Sequence, residues 1–172
     1  VKNKSNLISK GGLFTGLSVI FLYLSFILPT NKLGFLILTS ALIILTIKTI
    51  GFTGGLLSYI STGVLSLIIG LKSISLAYVS LFGLYPIIKY KVEGLRNIFL
   101  EILLKLLFLN LSLFLNYYIY KSLFMDINLM NMDLLNKLPI PLIIIFIQGV
   151  FLLMDYILTL IIQFINEKLK FL

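Results

Sequence analysis

The feature that constrains this chain most is a row of long apolar runs, each interrupted by only a few charged, Gly or Pro residues. A helix that crosses a bilayer needs about 20 mostly apolar residues to traverse about 30 Å of hydrocarbon. Runs of that kind fall at about 11–28, 33–50, 52–70, 73–88, 95–120 and 139–165. With 60% of its 172 residues apolar and only 12% charged, the chain lies far from soluble domains, where about 25% of residues are charged. A soluble domain of this size could not hide so much apolar surface in one core. The expected fold is all-α: a polytopic membrane helical bundle of about six transmembrane helices, forming a single domain over residues 1–172. If one run is re-entrant, the count falls to five.

Short loops rich in Lys and Arg stay on the cytoplasmic side of a membrane. With the N-terminus inside, the inner ends of the runs carry Lys2, Lys4, Lys10, Lys48, Lys89, Lys91, Arg96, Lys105, Lys168 and Lys170. The outer ends then carry only Lys32, Lys72, Lys121 and Lys137. This asymmetry predicts an N-in/C-in arrangement, because an odd number of spans would place one basic terminus outside.

Local punctuation sharpens the picture. Gly51 alone separates the second and third runs, which predicts a tight helical hairpin or a broken helix there. In the fourth run Pro86 removes a helix hydrogen bond, and Gly83 leaves room beside the resulting kink. The first run ends in Pro29 and Thr30 without a small-residue cleavage site, so it is expected to remain in place as a span. No internal repeat is evident, so an architecture built from inverted repeats gains no support. Residues 125–137 are polar, with Ile127, Met130, Leu134 and Leu135 near helical spacing. They form either a short amphipathic helix on the outer surface or a plain loop.

Composition removes several chemistries. The chain has no Cys, His or Trp. Disulfides, thiolate nucleophiles, Cys/His zinc sites, haem ligation and histidine proton relays are thereby excluded. The carboxylates are scattered, so no catalytic residue, metal site or cofactor is assigned, and the chain is not expected to be an enzyme. Its net charge of +8 comes from basic residues spread between apolar runs rather than gathered in a stripe. The expected partner of that charge is membrane lipid, not nucleic acid.

A few residues stand out. Gly12-x-x-x-Gly16 makes a small-residue face that lets another helix backbone approach closely, either within this chain or from a second protein. Charges within spans are costly in lipid and face protein or water. Glu101 and Lys105, four residues apart, are expected to neutralise one another. Asp155 has no basic residue within a turn, so it needs a partner such as Lys105 or must be protonated. Lys48 lies close enough to the inner end to snorkel. Lys89, Lys91 and Arg96 are expected to make a basic inner loop. Asn110, Asn116, Tyr117, Tyr118 and Gln148 lie toward the outer half, with Asn31 at the outer end of the first run. Of these, Asn31, Asn116 and Gln148 are the candidate ligand contacts of a small-molecule pocket, with interhelical hydrogen bonds as the alternative.

The opening KNKSNLISKGGLFTGLSVIFLYLSFILPTNKLGFL resembles the first span of small six-helix bacterial membrane proteins, the S components of energy-coupling factor (ECF) type transporters. The stretch LAYVSLFGLYPIIKYKVE is similar to uncharacterised clostridial proteins grouped with them. The resemblance implies a bacterial plasma membrane protein that captures a vitamin or metal ion from outside. It implies partnership with a T-type transmembrane protein and two cytoplasmic ATPases. The docking motif of such proteins is a small-x-x-x-small face on the first helix, the place held here by Gly12 and Gly16. Their pocket lies on the outer side under the loop between the first two helices, where Thr30, Asn31 and Lys32 fall. No residue set here identifies a particular vitamin, and the absence of His excludes the nickel and cobalt versions. The chain has no Walker A sequence, so ATP hydrolysis would belong to its partners. Two alternatives stand beside this one. One is a cell-shape scaffold similar to the rod-shape-determining protein MreD. The other is a respiratory membrane subunit similar to subunit 6 of NADH dehydrogenase, whose glycine-rich bulged third helix Gly54, Gly55 and Tyr59 faintly resemble.

Overall fold

A computed structural model describes residues 4–95, 97–123 and 140–170. Residues 125–137 and Arg96 lie outside the described residues. Every described element is helical, with no strand among them. The order is α1 (Lys4–Ile27), a 3-10 turn (Pro29–Asn31), α2 (Lys32–Ile50), α3 (Phe52–Ile68) and α4 (Lys72–Ala77). A π-helical turn (Tyr78–Phe82), α5 (Leu84–Val92), a second 3-10 turn (Glu93–Leu95), α6 (Ile98–Leu123) and α7 (Ile140–Lys170) follow. Because Tyr78 and Gly83 keep right-handed helical dihedrals, α4, the π turn and α5 run on as one continuous rod. Six rods therefore overlie the six apolar runs. Four segments, Ser5–Ile27, Lys32–Ile50, Ile98–Ile119 and Ile143–Ile165, are long and apolar enough to cross a membrane, and α3 is a shorter apolar helix. Their outer faces carry large exposed hydrophobic side chains such as Ile20, Leu57, Leu107, Phe114 and Phe146. This is a membrane-embedded protein.

The rods are joined by compact turns. Gly51 adopts φ 109°, a conformation that L side chains rarely take, and its N–H donates to Ile47 O at 3.0 Å. The α2–α3 junction is thus a hairpin turned on one glycine. Gly70, at φ 91°, ends α3 in the same way, while the Leu71 N–H closes back on Ser66 O at 3.1 Å.

Lipid tails are as apolar as leucine, so helices in a membrane gain little by burying leucines against each other. They associate instead through close backbone approach and interhelical hydrogen bonds. The interior follows that rule: Ser18, Ser25, Thr39, Ser40, Thr46, Thr62 and Ser66 are fully buried. Thr39 and Thr46 spend their hydroxyls on the carbonyls of Phe35 and Leu42, both at 2.8 Å, which satisfies them within α2. Thr15 and Ser58 join α1 to α3 at 2.9 Å, and Ser75 joins α4 to Ser66 of α3 at 2.7 Å. An aromatic layer of Tyr78, Phe82, Tyr85, Phe108 and Phe151 packs where α5, α6 and α7 meet.

Side chains of neighbouring helices bond the carbonyls of the π turn. Pro86 has no N–H, so the carbonyl one turn earlier, Phe82 O, loses its helical donor. Ser40 of α2 donates to that oxygen at 2.6 Å. Tyr59 of α3 donates to Val79 O and Ser112 of α6 to Ser80 O, each at 2.8 Å. Three helices thus supply the donors that the widened turn lacks, as backbone at membrane depth requires. A Cβ on Gly83 would meet the Tyr78 ring at 2.6 Å and the Tyr59 ring at 2.8 Å, so that position must be small.

Candidate functional site

Three features compete for function: a buried ion network, a groove floored by small residues and an apolar cavity. The network begins with α5, which continues past Pro86 to Val92 and so places Tyr85, Lys89 and Glu93 one turn apart on a single stripe. Glu101 and Lys105 take the same spacing at the start of α6, and Asp155 and Thr159 do so on α7. The Lys89 and Lys105 side chains are 1% and 2% exposed.

Each ammonium is surrounded by acceptors and carboxylates. Lys89 Nζ donates to Asp155 Oδ1, to Asp155 O at 3.4 Å and to Thr159 Oγ1 at 2.8 Å, and it pairs with Glu93 Oε1 at 2.6 Å. Lys105 Nζ donates to Glu101 Oε1 at 2.5 Å, to Asp155 Oδ2 at 2.8 Å and to Glu93 Oε1 at 3.4 Å. The Tyr85 hydroxyl donates to Asp155 Oδ1. Asp155 is thus the hub: one oxygen faces α5 and the other faces α6. Buried ions are costly unless paired and fully hydrogen-bonded, and this network meets both conditions. Chemically it is a clasp that ties α5, α6 and α7 together. Among the described residues no group of three metal-ligating side chains is assembled.

The second feature lies between α1 and α3. Gly11, Gly12, Thr15 and Gly16 of α1 face Gly54, Ser58 and Ser61 of α3 across a groove of about 510 Å³. Gly12 and Gly16 are exposed, and a Cβ built on either would meet nothing within 4 Å. Gly11 is closer to the protein, with Ile50 at 3.5 Å from such a Cβ. Of the two readings open for the small-residue face, packing among the described residues brings nothing within 4 Å of a Cβ at Gly12 or Gly16. The backbone of α1 lies bare along that stripe.

The third feature is a cavity of about 380 Å³ between α2, α6 and α7, with Phe82 of the π turn at its floor. Its walls include Ile37, Leu109, Leu113, Phe151 and Met154, and no polar residue lines it among the described residues. Asn31, Asn116 and Gln148 do not line it either. Asn116 is committed elsewhere: its Nδ2 donates to Ser112 O at 2.8 Å, and its Oδ1 accepts from Ser80 Oγ at 2.9 Å. It therefore makes the interhelical hydrogen bonds that were the alternative reading of its amide. Asn31 is exposed in the turn between α1 and α2, with its side chain over Gly34, and Gln148 is half-buried on α7.

Lys48 is exposed near the end of α2, and Lys91 sits over the Phe52 ring, 5.0 Å from its centroid. Lys89 differs from the basic loop expected of it, because the helix runs on past Ile88 to Val92 and the side chain is buried. Tyr85 and Glu93 were absent from the sequence candidates, and Lys89 stood among them only as a basic-loop residue. The signal that could have found them is their i, i+4, i+8 spacing in one helix. No known protein family matches the chain, and neither curated proteins nor solved structures provide a significant match.

Proposed function

We propose that this chain is the membrane-embedded substrate-binding subunit of an ECF-type importer, with six spans and both termini in the cytoplasm of a bacterial cell. The observation that carries the reading is the bare stripe at Gly12 and Gly16. Two glycines one turn apart, exposed and unopposed, leave room for a helix of a second membrane protein to lie against the α1 backbone. Thr15, Ser58 and Ser61 add hydroxyls along the same groove. In this reading the occupant is a helix of a T-type transmembrane protein, and two cytoplasmic ATPases supply the energy.

With the N-terminus inside, the ion clasp lies in the inner half of the bundle and the apolar cavity in the outer half. The cavity is then the place where a ligand captured from outside would be held. Its lining suits the apolar part of a small molecule, and the polar contacts of that molecule would come from elsewhere. The chain itself carries out no chemical step in this reading. The respiratory alternative expects a bulge at Gly54 and Gly55, and α3 is regular through both, with the π turn in the following rod instead. A cell-shape scaffold would use the same α1 face for a different partner.

Purification of the tagged chain from its native membrane in mild detergent, followed by mass spectrometry, tests the proposal. Recovery of a T-type protein with two ATPases supports it. Recovery of cell-wall or respiratory proteins in their place overturns it.

A further inference from the structure

We infer that α6 presents a contact surface for a second copy of this chain, centred on Asn110. This inference is independent of the import reading and rests on a different helix. Asn110 lies near the middle of α6, about 18 Å along the axis from Ile98 at 1.5 Å per residue. If α6 spans the bilayer, that position lies near the centre of the hydrocarbon. Its side chain is exposed, and its carboxamide makes no hydrogen bond among the described residues. Asn116, two turns further on, has both ends of its amide bonded within the chain. At mid-depth no water replaces the missing partner, so an intramembrane amide of this kind is met by another helix.

The residues around it are spaced for such a helix. Leu103, Leu107, Asn110, Phe114 and Tyr117 follow one another at intervals of four, three, four and three, and all are exposed. This is the repeat of a left-handed helix pair, in which a single Asn at a seam position fixes register and pairing. The choice of a second copy follows from the amide. A carboxamide offers a donor and an acceptor, so it pairs with an identical group facing it. Two copies inserted in the same direction hold Asn110 at the same depth. A two-fold axis along the membrane normal then brings each Asn110 to its mate, with Leu107 and Phe114 closing over the pair.

The chain contains no Cys, so an introduced thiol is the sole one. Oxidative cross-linking in native membranes of L107C and F114C is expected to give a disulfide-linked band at twice the monomer mass. L115C should give no such band, because Leu115 is also exposed but lies about 100° around the helix from the seam. Adding Asn110→Leu to F114C should lower dimer association about tenfold, the size expected for the two hydrogen bonds that facing amides exchange, while Asn110→Gln should largely retain it. Membrane insertion of each variant is checked by its recovery in the membrane fraction. Three results overturn the proposal: no cross-linking at 107 or 114 above that at 115, dimerisation indifferent to Asn110→Leu, or cross-linking to a different protein.

Discussion

Between α1, α2 and α3 the polar contacts are made by serine and threonine, whereas between α5, α6 and α7 ions join the helices beside an aromatic layer. In the first region Thr15 touches Ser58, and the buried threonines of α2 bond to their own helix. In the second, Lys89 and Lys105 converge on Asp155, with Glu93, Glu101, Tyr85 and Thr159 completing the set. The difference has a physical meaning. Small residues allow close approach, and any part of their stripe that the chain does not cover remains available to another helix. An ion network must be closed, because an unpaired charge at that depth is expensive. The ion-tied junction of α5, α6 and α7 is therefore suited to stay closed, whereas the stripe at Gly12 and Gly16 leaves the α1 backbone open.

The largest effect should come from removing the hub. Asp155→Leu leaves two buried ammonium groups short of their shared acceptor, a loss of about 3–5 kcal/mol by analogy with other broken buried pairs. Unfolding titrated with SDS and followed by circular dichroism measures it. An unchanged midpoint would mean that the clasp holds nothing together. The double variant Lys105→Met with Asp155→Leu should recover part of that loss, since it removes a charge together with its counter-charge. A double variant less stable than Asp155→Leu alone would contradict this.

The boundary between the regions predicts smaller changes. Gly83→Ala would drive a methyl into the rings of Tyr78 and Tyr59, at 2.6 and 2.8 Å. The expected cost is about 1–3 kcal/mol, typical of overpacking, read in the same titration. Ser40→Ala removes the donor to Phe82 O and should cost about 0.6 kcal/mol, the average for hydrogen bonds between membrane helices. If Ser40→Ala proved the more damaging of the two, the π turn and not the ring packing would be the more sensitive element.

Much of the fold was legible because membrane helices write themselves as long apolar runs, and the glycine at 51 marks its turn directly. Lys105 was nameable as the partner of Asp155 because so few cations lie within the apolar runs. Lys89 was not, since the fourth apolar run ends at Ile88, and a lysine just past the end of a run reads as a loop residue. The structure keeps the helix going by borrowing Ser40, Tyr59 and Ser112 as donors, and those long-range hydrogen bonds leave no local trace in sequence. The exposure of Gly12 and Gly16 was equally hidden. A small-residue pair has the same spacing whether its partner is inside the chain or outside it.

The most direct test of the central claim compares the native chain with a Gly12→Leu, Gly16→Leu double variant. Because a Cβ at either position meets nothing, the variant should insert and unfold like the native chain. The account predicts that it no longer co-purifies with the T-type protein and its ATPases from mild detergent. Retention of that complex by a stably folded double variant would contradict it.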